Sequence, residues 1–220
     1  YKIPSGEVTN VPLLERIAET GKPILLSSGM SDWAELDRAV AVLRAGGPLV
    51  VMQCTTAYPC PPERVGLNIV PEMARRYGLP VGYSDHTEDA AAAMAAAALG
   101  AVAVEKHLTF SRLMYGSDAA NAMEPPAFTA YCAGIRNIWR MLDNPIDKND
   151  LAPYVDMKRI FEKSIVSARA LPSGSVIARA DLAFKKPGDG ISAARYGEFV
   201  GRRLNRSVPA DHAFSEQDFE

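Results

Sequence analysis

Histidine is scarce in this chain, with three among 220 residues. Cysteine is as scarce: Cys54, Cys60 and Cys132 make an odd count without CxxC spacing. That argues against a disulfide framework and for free thiols in a reducing compartment, so a cytoplasmic location is expected. No window approaches the ~18 consecutive apolar residues of a membrane-spanning helix. The alanine-rich stretch from Asp89 to Leu99 is too short and too weakly apolar to serve. A net charge of −2 offers no polycationic surface, so a nucleic-acid role gains no support. There is no initiator methionine and no signal peptide, and the chain is expected to be a piece of something longer. No secretion signal within these residues supports use of the sequon Asn205-Arg206-Ser207. What remains is a globular composition, 48% hydrophobic and 23% charged, enough for one large or two small domains.

Strand-like runs are predicted at 1–3, 23–27, 49–54, 79–83 and 101–105, with helical patterns between them. Leu13, Leu14, Ile17 and Ala18 share one helix face, and Leu36, Ala39, Val40 and Leu43 share another. Gly21, Gly46-Gly47 and Gly78 follow these helices as C-terminal stops, and Asp32 and Asp89 are candidate N-caps. Alternation of strand and helix predicts a parallel sheet covered by helices. An eight-stranded barrel needs about 250 residues; five units are legible, so the expectation is the C-terminal five β/α units of a TIM barrel with the first three strands absent. An open doubly wound sheet is the alternative. A further helix is expected at 127–142.

Two of the three histidines occupy matching places. His86 follows the run Val81-Gly82-Tyr83-Ser84-Asp85, and His107 follows Val102-Ala103-Val104-Glu105-Lys106. Two parallel neighbours joined by a helix bring their C-terminal ends together, so both imidazoles can reach one ion. Reactive side chains in a (β/α) barrel lie at those ends. The rim candidates are Lys2, Ser5 and Glu7; Ser27, Ser28 and Gly29; Thr55, Thr56 and Tyr58; Ser84, Asp85 and His86; Glu105, Lys106 and His107. Hydroxyls, loop amides and lysines suit a phosphate or carboxylate, and two neutral imidazoles with oxygen ligands suit a mid-row divalent ion. Each candidate also has an ordinary reading: a hydrogen-bonded structural histidine, a helix-capping Ser28, an inert packed Cys54. His212 reads as a surface residue.

The texture changes after Pro125-Pro126 and the following helix. Residues 143–158 read as a linker, and 159–220 as a small β-rich domain after a partial barrel at 1–142. That tail carries a faint repeat: Leu171-Pro172-x4-Ile177-x3-Asp181-Leu182 recurs 37 residues later as Val208-Pro209-x4-Phe214-x3-Asp218-Phe219.

Several motifs together resemble the sialic acid synthase family. They are Tyr1-Lys2-Ile3-x-Ser5-Gly6-Glu7, Gly21-Lys22-Pro23-Ile24-Leu25-Leu26-Ser27-Ser28-Gly29-Met30, Cys54-Thr55-Thr56-x-Tyr58-Pro59, Gly82-Tyr83-Ser84-Asp85-His86-Thr87 and Glu105-Lys106-His107-x-Thr109. Gly116-x-Asp118, Lys163-Ser164-Ile165-Val166 and Lys186-Pro187-Gly188-x-Gly190-Ile191 continue the series in the family's order. The resemblance implies a (β/α)8 barrel followed by an antifreeze-like SAF domain, in a domain-swapped homodimer. It implies condensation of phosphoenolpyruvate (PEP) with an N-acetylmannosamine-type sugar aldehyde, releasing phosphate by C–O cleavage. By the same resemblance His86 and His107 hold Mn²⁺, or Mg²⁺ or another divalent ion. Lys2, Ser27 and Ser84 hold the PEP phosphate or carboxylate. Ser5, Glu7 and Tyr58 line the sugar side, and Asp118 is catalytic, near metal and aldehyde. Lys186 stands where the family usually has an arginine that reaches the N-acetyl group, and lysine lacks its planar fork. Ser117 replaces a usual proline, and Thr56 stands where some members carry asparagine. The rival expectations are another metal-dependent barrel aldolase or lyase, and a non-catalytic fragment that binds carbohydrate or a partner.

Overall fold

A computed structural model describes residues Tyr1–Glu220. The chain divides into two compact units, Tyr1–Pro145 and Ile146–Glu220.

The first unit is a half-barrel. Five strands, β1 (Lys2–Ile3), β2 (Ile24–Ser27), β3 (Leu49–Cys54), β4 (Val81–Asp85) and β5 (Ala103–Lys106), pair in chain order. Every pairing is parallel. Helices α1 (Val11–Ala18), α2 (Trp33–Leu43), α3 (Ile69–Tyr77), α4 (Ala91–Ala98) and α5 (Pro125–Leu142) cover one face. Local chemistry starts and stops them. Asp32 accepts from the Glu35 N–H while Glu35 accepts from the Asp32 N–H, a capping box at the head of α2. Gly78 ends α3 with φ +59°, a left-handed turn that a Cβ would oppose. Pro125 and Pro126 open α5, where their missing N–H groups cost nothing.

The two-residue period of a strand sorts the side chains between two faces. Ile3, Ile24, Leu26, Leu49, Val51, Val81 and Tyr83 point toward the helices and form the core with Leu14, Leu36, Val40, Leu43, Val70 and Met73. Alanines 92, 93, 96 and 97 let α4 lie close in. The alternate residues, Lys2, Ser27, Met52, Cys54, Ser84 and Glu105, belong to the opposite, inner face.

Two strands run further into polar sequence than hydrophobicity predicts. β4 was expected at 79–83 and lies at Val81–Asp85; β5 was expected at 101–105 and lies at Ala103–Lys106. Pro80 cannot donate to a ladder, and Ser84, Asp85, Glu105 and Lys106 stay in the strands because each has a polar partner. Helix α4 begins at Ala91, later than an N-cap at Asp89 implies, although Asp89 Oδ1 still accepts the Ala91 N–H at 2.9 Å.

The first α-helix of the second unit, α6 (Val155–Phe161), begins inside the segment expected as linker, 143–158, and runs past its end into the expected β-rich domain. Its apolar residues are exposed, so no buried face announced it. Strands β6 (Ser164–Ser167) and β7 (Leu182–Lys185) pair antiparallel, and the short α7 (Tyr196–Phe199) follows. The 37-residue repeat is a pseudo-twofold axis. Leu171 and Val208 exchange both backbone hydrogen bonds at 2.9 Å. Away from that centre, Gly174 N–H to Leu204 O is matched by Asp211 N–H to Ser167 O. Ile177 N–H to Arg202 O is matched by Phe214 N–H to Ile165 O. Buried Asp181 and Asp218 take equivalent places, each receiving an arginine, Arg169 or Arg206. His212 departs from its expectation as a surface residue: its Nε2 lies 3.0 Å from the carboxylate of fully buried Asp218.

Candidate functional site

The inner face ends in a cavity of about 300 Å³ at the C-terminal rim of the strands. Lys2, Ser5, Ser27, Tyr58, Ser84, His86 and His107 all line it, with Cys54, Thr56 and Glu105 among them. Register explains the convergence. Cys54 pairs with Ser84, and Ser84 with Glu105, so side chains of one parity stand side by side across three strands. His86 and His107 continue that parity one step beyond β4 and β5. A larger cavity, about 560 Å³, lies elsewhere in the unit, but its walls are mainly prolines, Val65, Leu67 and α4 alanines. The smaller cavity holds the chemistry.

Lys2 Nζ lies 3.3 Å from Glu105 Oε2, and Ser84 Oγ donates to Glu105 Oε1 at 3.3 Å. Glu105 therefore ties an ammonium to a hydroxyl. The sequence marks this glutamate by its place two residues before His107, on the same strand face, but not by a partner. Ser5 Oγ accepts the Gly29 N–H at 2.8 Å. Gly29 leaves room for this contact: a Cβ would come 2.5 Å from Thr56 Oγ1 and 2.7 Å from Ser5 Oγ, and those side chains would have to turn aside. Ser27 Oγ is buried without any hydrogen-bond partner. A buried hydroxyl in that state costs free energy unless something docks against it.

The His86 and His107 ring centroids are 5.4 Å apart, and the Tyr58 ring lies 4.2 Å from His86 and 6.0 Å from His107. His86 Nδ1 is 2.8 Å from the Thr55 carbonyl oxygen. A carbonyl only accepts, so Nδ1 carries the hydrogen and Nε2 of the neutral ring keeps its lone pair. His107 Nδ1 is 3.7 Å from Asp118 Oδ2. Burial pushes the Cys54 thiol up from its ordinary value, which keeps it protonated near neutrality. Its Sγ is 3.9 Å from His86 Nδ1, so the residue read as packing belongs to the cavity wall. Burial also pushes the Tyr58 phenol up, and the charges of Asp118 and Glu105 add to it.

The remaining expected residues are placed differently. Glu7 accepts from Asn10 Nδ2 at 2.7 Å beside the first turn and is not among the cavity residues. Lys186 lies in the second unit, its ammonium 4.7 Å from the Phe161 ring centroid. Asp85 and Lys106, grouped with the rim by sequence, have the opposite parity and turn toward the helices. There Lys106 Nζ and Asp85 Oδ2 pair at 3.1 Å, with side chains 2% and 0% exposed.

The donor set fits one divalent cation. Imidazoles that share an ion through metal–nitrogen bonds of about 2.1 Å have ring centroids roughly 5 to 6 Å apart, as these do. Hydrogen bonding of Nδ1 to a carbonyl is a common way to fix a ligating histidine. No group of three or more His, Cys, Asp or Glu side chains meets at ligand spacing, so the imidazoles of His86 and His107 are the nitrogen donors the cavity could offer such an ion. Oxygen ligands completing such a sphere suit a mid-row ion.

The model of the NeuB family matches residues 1–147 of this chain. The chain belongs to the NeuB family. An SAF domain model matches residues 162–220 of this NeuB-family chain. The N,N'-diacetyllegionaminic acid synthase of Campylobacter jejuni is 36% identical to it, over 98% of the chain and 66% of that relative. Human N-acetylneuraminate-9-phosphate synthase is 30% identical over 99% of the chain and 61% of its own length. The chain thus spans less than two thirds of these curated relatives. A crystal structure of a Bacillus subtilis spore coat polysaccharide biosynthesis protein superposes with a TM-score of 0.62 at 26% identity, covering 100% of this chain and 67% of that one. No helix of the chain is long and apolar enough to cross a membrane.

Proposed function

We propose that this chain carries most of the rim of a nonulosonic acid synthase, which condenses PEP with an open-chain amino-sugar aldehyde of the N-acetylmannosamine type. Under this reading the five parallel strands are the C-terminal five of an eight-stranded barrel. A second copy brings the SAF domain, with Lys186, over the sugar side in a domain-swapped homodimer. The observation that carries the reading is the meeting of two imidazoles, a lysine and an unpartnered serine hydroxyl on one strand face.

The chemistry follows from the side chains. Lys2 and Ser27 donate to the phosphate or carboxylate of PEP; Ser27 has its hydroxyl free to do so, Glu105 fixes the Lys2 ammonium, and Ser84 turns its hydroxyl from Glu105 to PEP when the ligand arrives. Ser5 and Tyr58 bound the sugar side, with Tyr58 protonated and able to donate to a sugar oxygen. Glu7, held by Asn10 outside the cavity lining, would have to turn inward to reach the sugar. A Mn²⁺-type cation on His86 and His107 would supply Lewis-acid polarisation of the aldehyde oxygen. Asp118 orients His107 and accepts or returns a proton at the aldehyde or a neighbouring hydroxyl. Holding PEP C3 against the aldehyde carbon is worth about 7 kcal/mol or more when alignment is good. The C3–C1 bond forms, water adds at PEP C2, and phosphate leaves with the bridging oxygen.

The test uses the full-length protein with Mn²⁺, N-acetylmannosamine and PEP labelled with oxygen-18 at the bridging position. Label in the released phosphate supports the reading. Label retained in the organic product assigns a different aldolase or lyase chemistry. His86→Ala and His107→Ala are each expected to abolish metal-dependent PEP consumption, and full activity in both refutes the ligand roles.

A further inference from the structure

The buried pair between Asp85 and Lys106 serves no part of the reaction above, and no ordinary stability argument accounts for it. Both groups are almost wholly removed from water. Replacing such a pair by well-packed apolar residues is often neutral or stabilising, because desolvating two charges offsets their attraction. An apolar Val or Leu pair would suit this helix-facing position, which lies beside Tyr83 and beside Tyr131 of α5.

Its connections are what distinguish it. Asp85 and Lys106 are register partners across β4 and β5. Asp85 immediately precedes His86, and Lys106 immediately precedes His107. Asp85 Oδ1 accepts both the Thr87 N–H at 2.9 Å and the Thr87 hydroxyl at 2.8 Å. Lys106 Nζ donates to the Thr87 carbonyl. One lysine thus grips the residue before His86 and the residue after it, while its own backbone leads directly into His107. Tyr131 from α5 donates to Asp85 Oδ2 at 2.9 Å and closes the cluster from the helix side. Of these five polar bonds, the two made by Lys106 tie the flank of His107 to the flank of His86, and the other three brace Asp85 behind the sheet.

We propose that the Asp85–Lys106–Thr87 cluster is a positioning device that sets the separation and aim of the His86 and His107 rings. The polar pair is kept because direction matters there: hydrogen-bonded charges fix an orientation that apolar packing leaves loose. These are positioning residues, acting through the histidines. The inference rests on the reading of His86 and His107 as one cation site.

The test uses the full-length protein and two readouts. The variant Asp85→Asn with Lys106→Met removes both charges together, since either alone strands a buried charge. Mn²⁺ affinity is measured from the electron paramagnetic resonance of the free ion, and the His86 Nδ1–H signal is followed by nitrogen-15 NMR without metal. The expected result is a folded variant with Mn²⁺ bound roughly 10- to 100-fold more weakly and the His86 Nδ1–H signal lost to exchange. A folded variant with wild-type affinity and an unchanged signal overturns the proposal. If that variant does not fold, Tyr131→Phe decides: it keeps the ring, and a severalfold weaker Mn²⁺ affinity supports positioning while an unchanged one overturns it. Wild-type protein that binds no Mn²⁺, or binds it equally with His86→Ala, sinks the cation-site reading. In that case the metal-free NMR signal still decides positioning: its loss in a folded variant supports the cluster's role, and its persistence overturns it.

Discussion

Ser27→Ala should stabilise the protein and weaken its hold on PEP at once. Ser27 Oγ is buried and pairs with no protein group. An unsatisfied buried hydroxyl costs about 1–3 kcal/mol. Replacing it with a methyl hydrogen removes that cost, for a gain of about 1 kcal/mol after the lost contact area is allowed for. For a chain of this size that raises the melting temperature by about 2–4 °C. A hydrogen bond to a charged phosphate or carboxylate is worth about 1.5–3 kcal/mol, so PEP should bind roughly 10- to 150-fold more weakly. At a PEP concentration 100 times the wild-type Kd, ligand stabilisation is about 2.7 kcal/mol. A 100-fold weaker site retains about 0.4 kcal/mol of it at the same concentration. Scanning fluorimetry with and without PEP reads both effects: the variant melts higher alone and gains almost nothing from the ligand. A variant that melts lower without PEP, or keeps the full PEP shift, refutes the assignment of this hydroxyl.

Two further outcomes follow from geometry. Burial would push the Asp218 carboxyl up, but bonds from the Ser215 N–H, His212 and Arg206 outweigh it and hold it down at about 2. An unfolded aspartate titrates near 3.9, so the depressed group contributes about 2 kcal/mol above pH ~5 that is lost as pH falls through 4 toward 2. Urea unfolding from pH 5 to 2 should show that loss in the wild type and not in Asp218→Asn; parallel pH profiles would rule it out. Gly29→Ala drives a Cβ against Ser5 Oγ, Thr56 Oγ1 and Cys54 Sγ and should cost about 1–3 kcal/mol of stability, read as a lower denaturant midpoint; an unshifted midpoint would mean those side chains rotate away freely.

The parts of the fold that hydrophobicity reports were legible. Strand β3 lies where its apolar run placed it, and the N-cap at Asp32 and the stop at Gly78 are visible as residue types in the right places, whereas the reciprocal bond from Glu35 is read from the structure. The parallel sheet followed from alternation alone. What hydrophobicity does not report was displaced. β4 and β5 run into Ser84-Asp85 and Glu105-Lys106, where polar side chains are buried by pairing with one another, a tertiary fact. Helix α6 has little buried surface, so no periodicity marked it. At the rim, position was legible but aim was not. Asp85 and Glu105 look equally reactive in sequence, yet strand parity sends one to the helices and the other to the cavity. His212 looked ordinary because its partner, Asp218, is buried at the far end of the repeat copy.

The parity that separates Ser84 and His86 from Asp85 and Thr87 has an evolutionary corollary. Point substitutions along β4 change one face at a time, and the rest of that strand can stay as it was. Inserting or deleting one codon between Val81 and His86 would exchange the two faces wholesale, carrying the hydroxyl and imidazole to the helices and a bare carboxylate into the cavity. A change of length in this strand should therefore be more damaging than any single substitution on either face, because it removes both sets of roles at once.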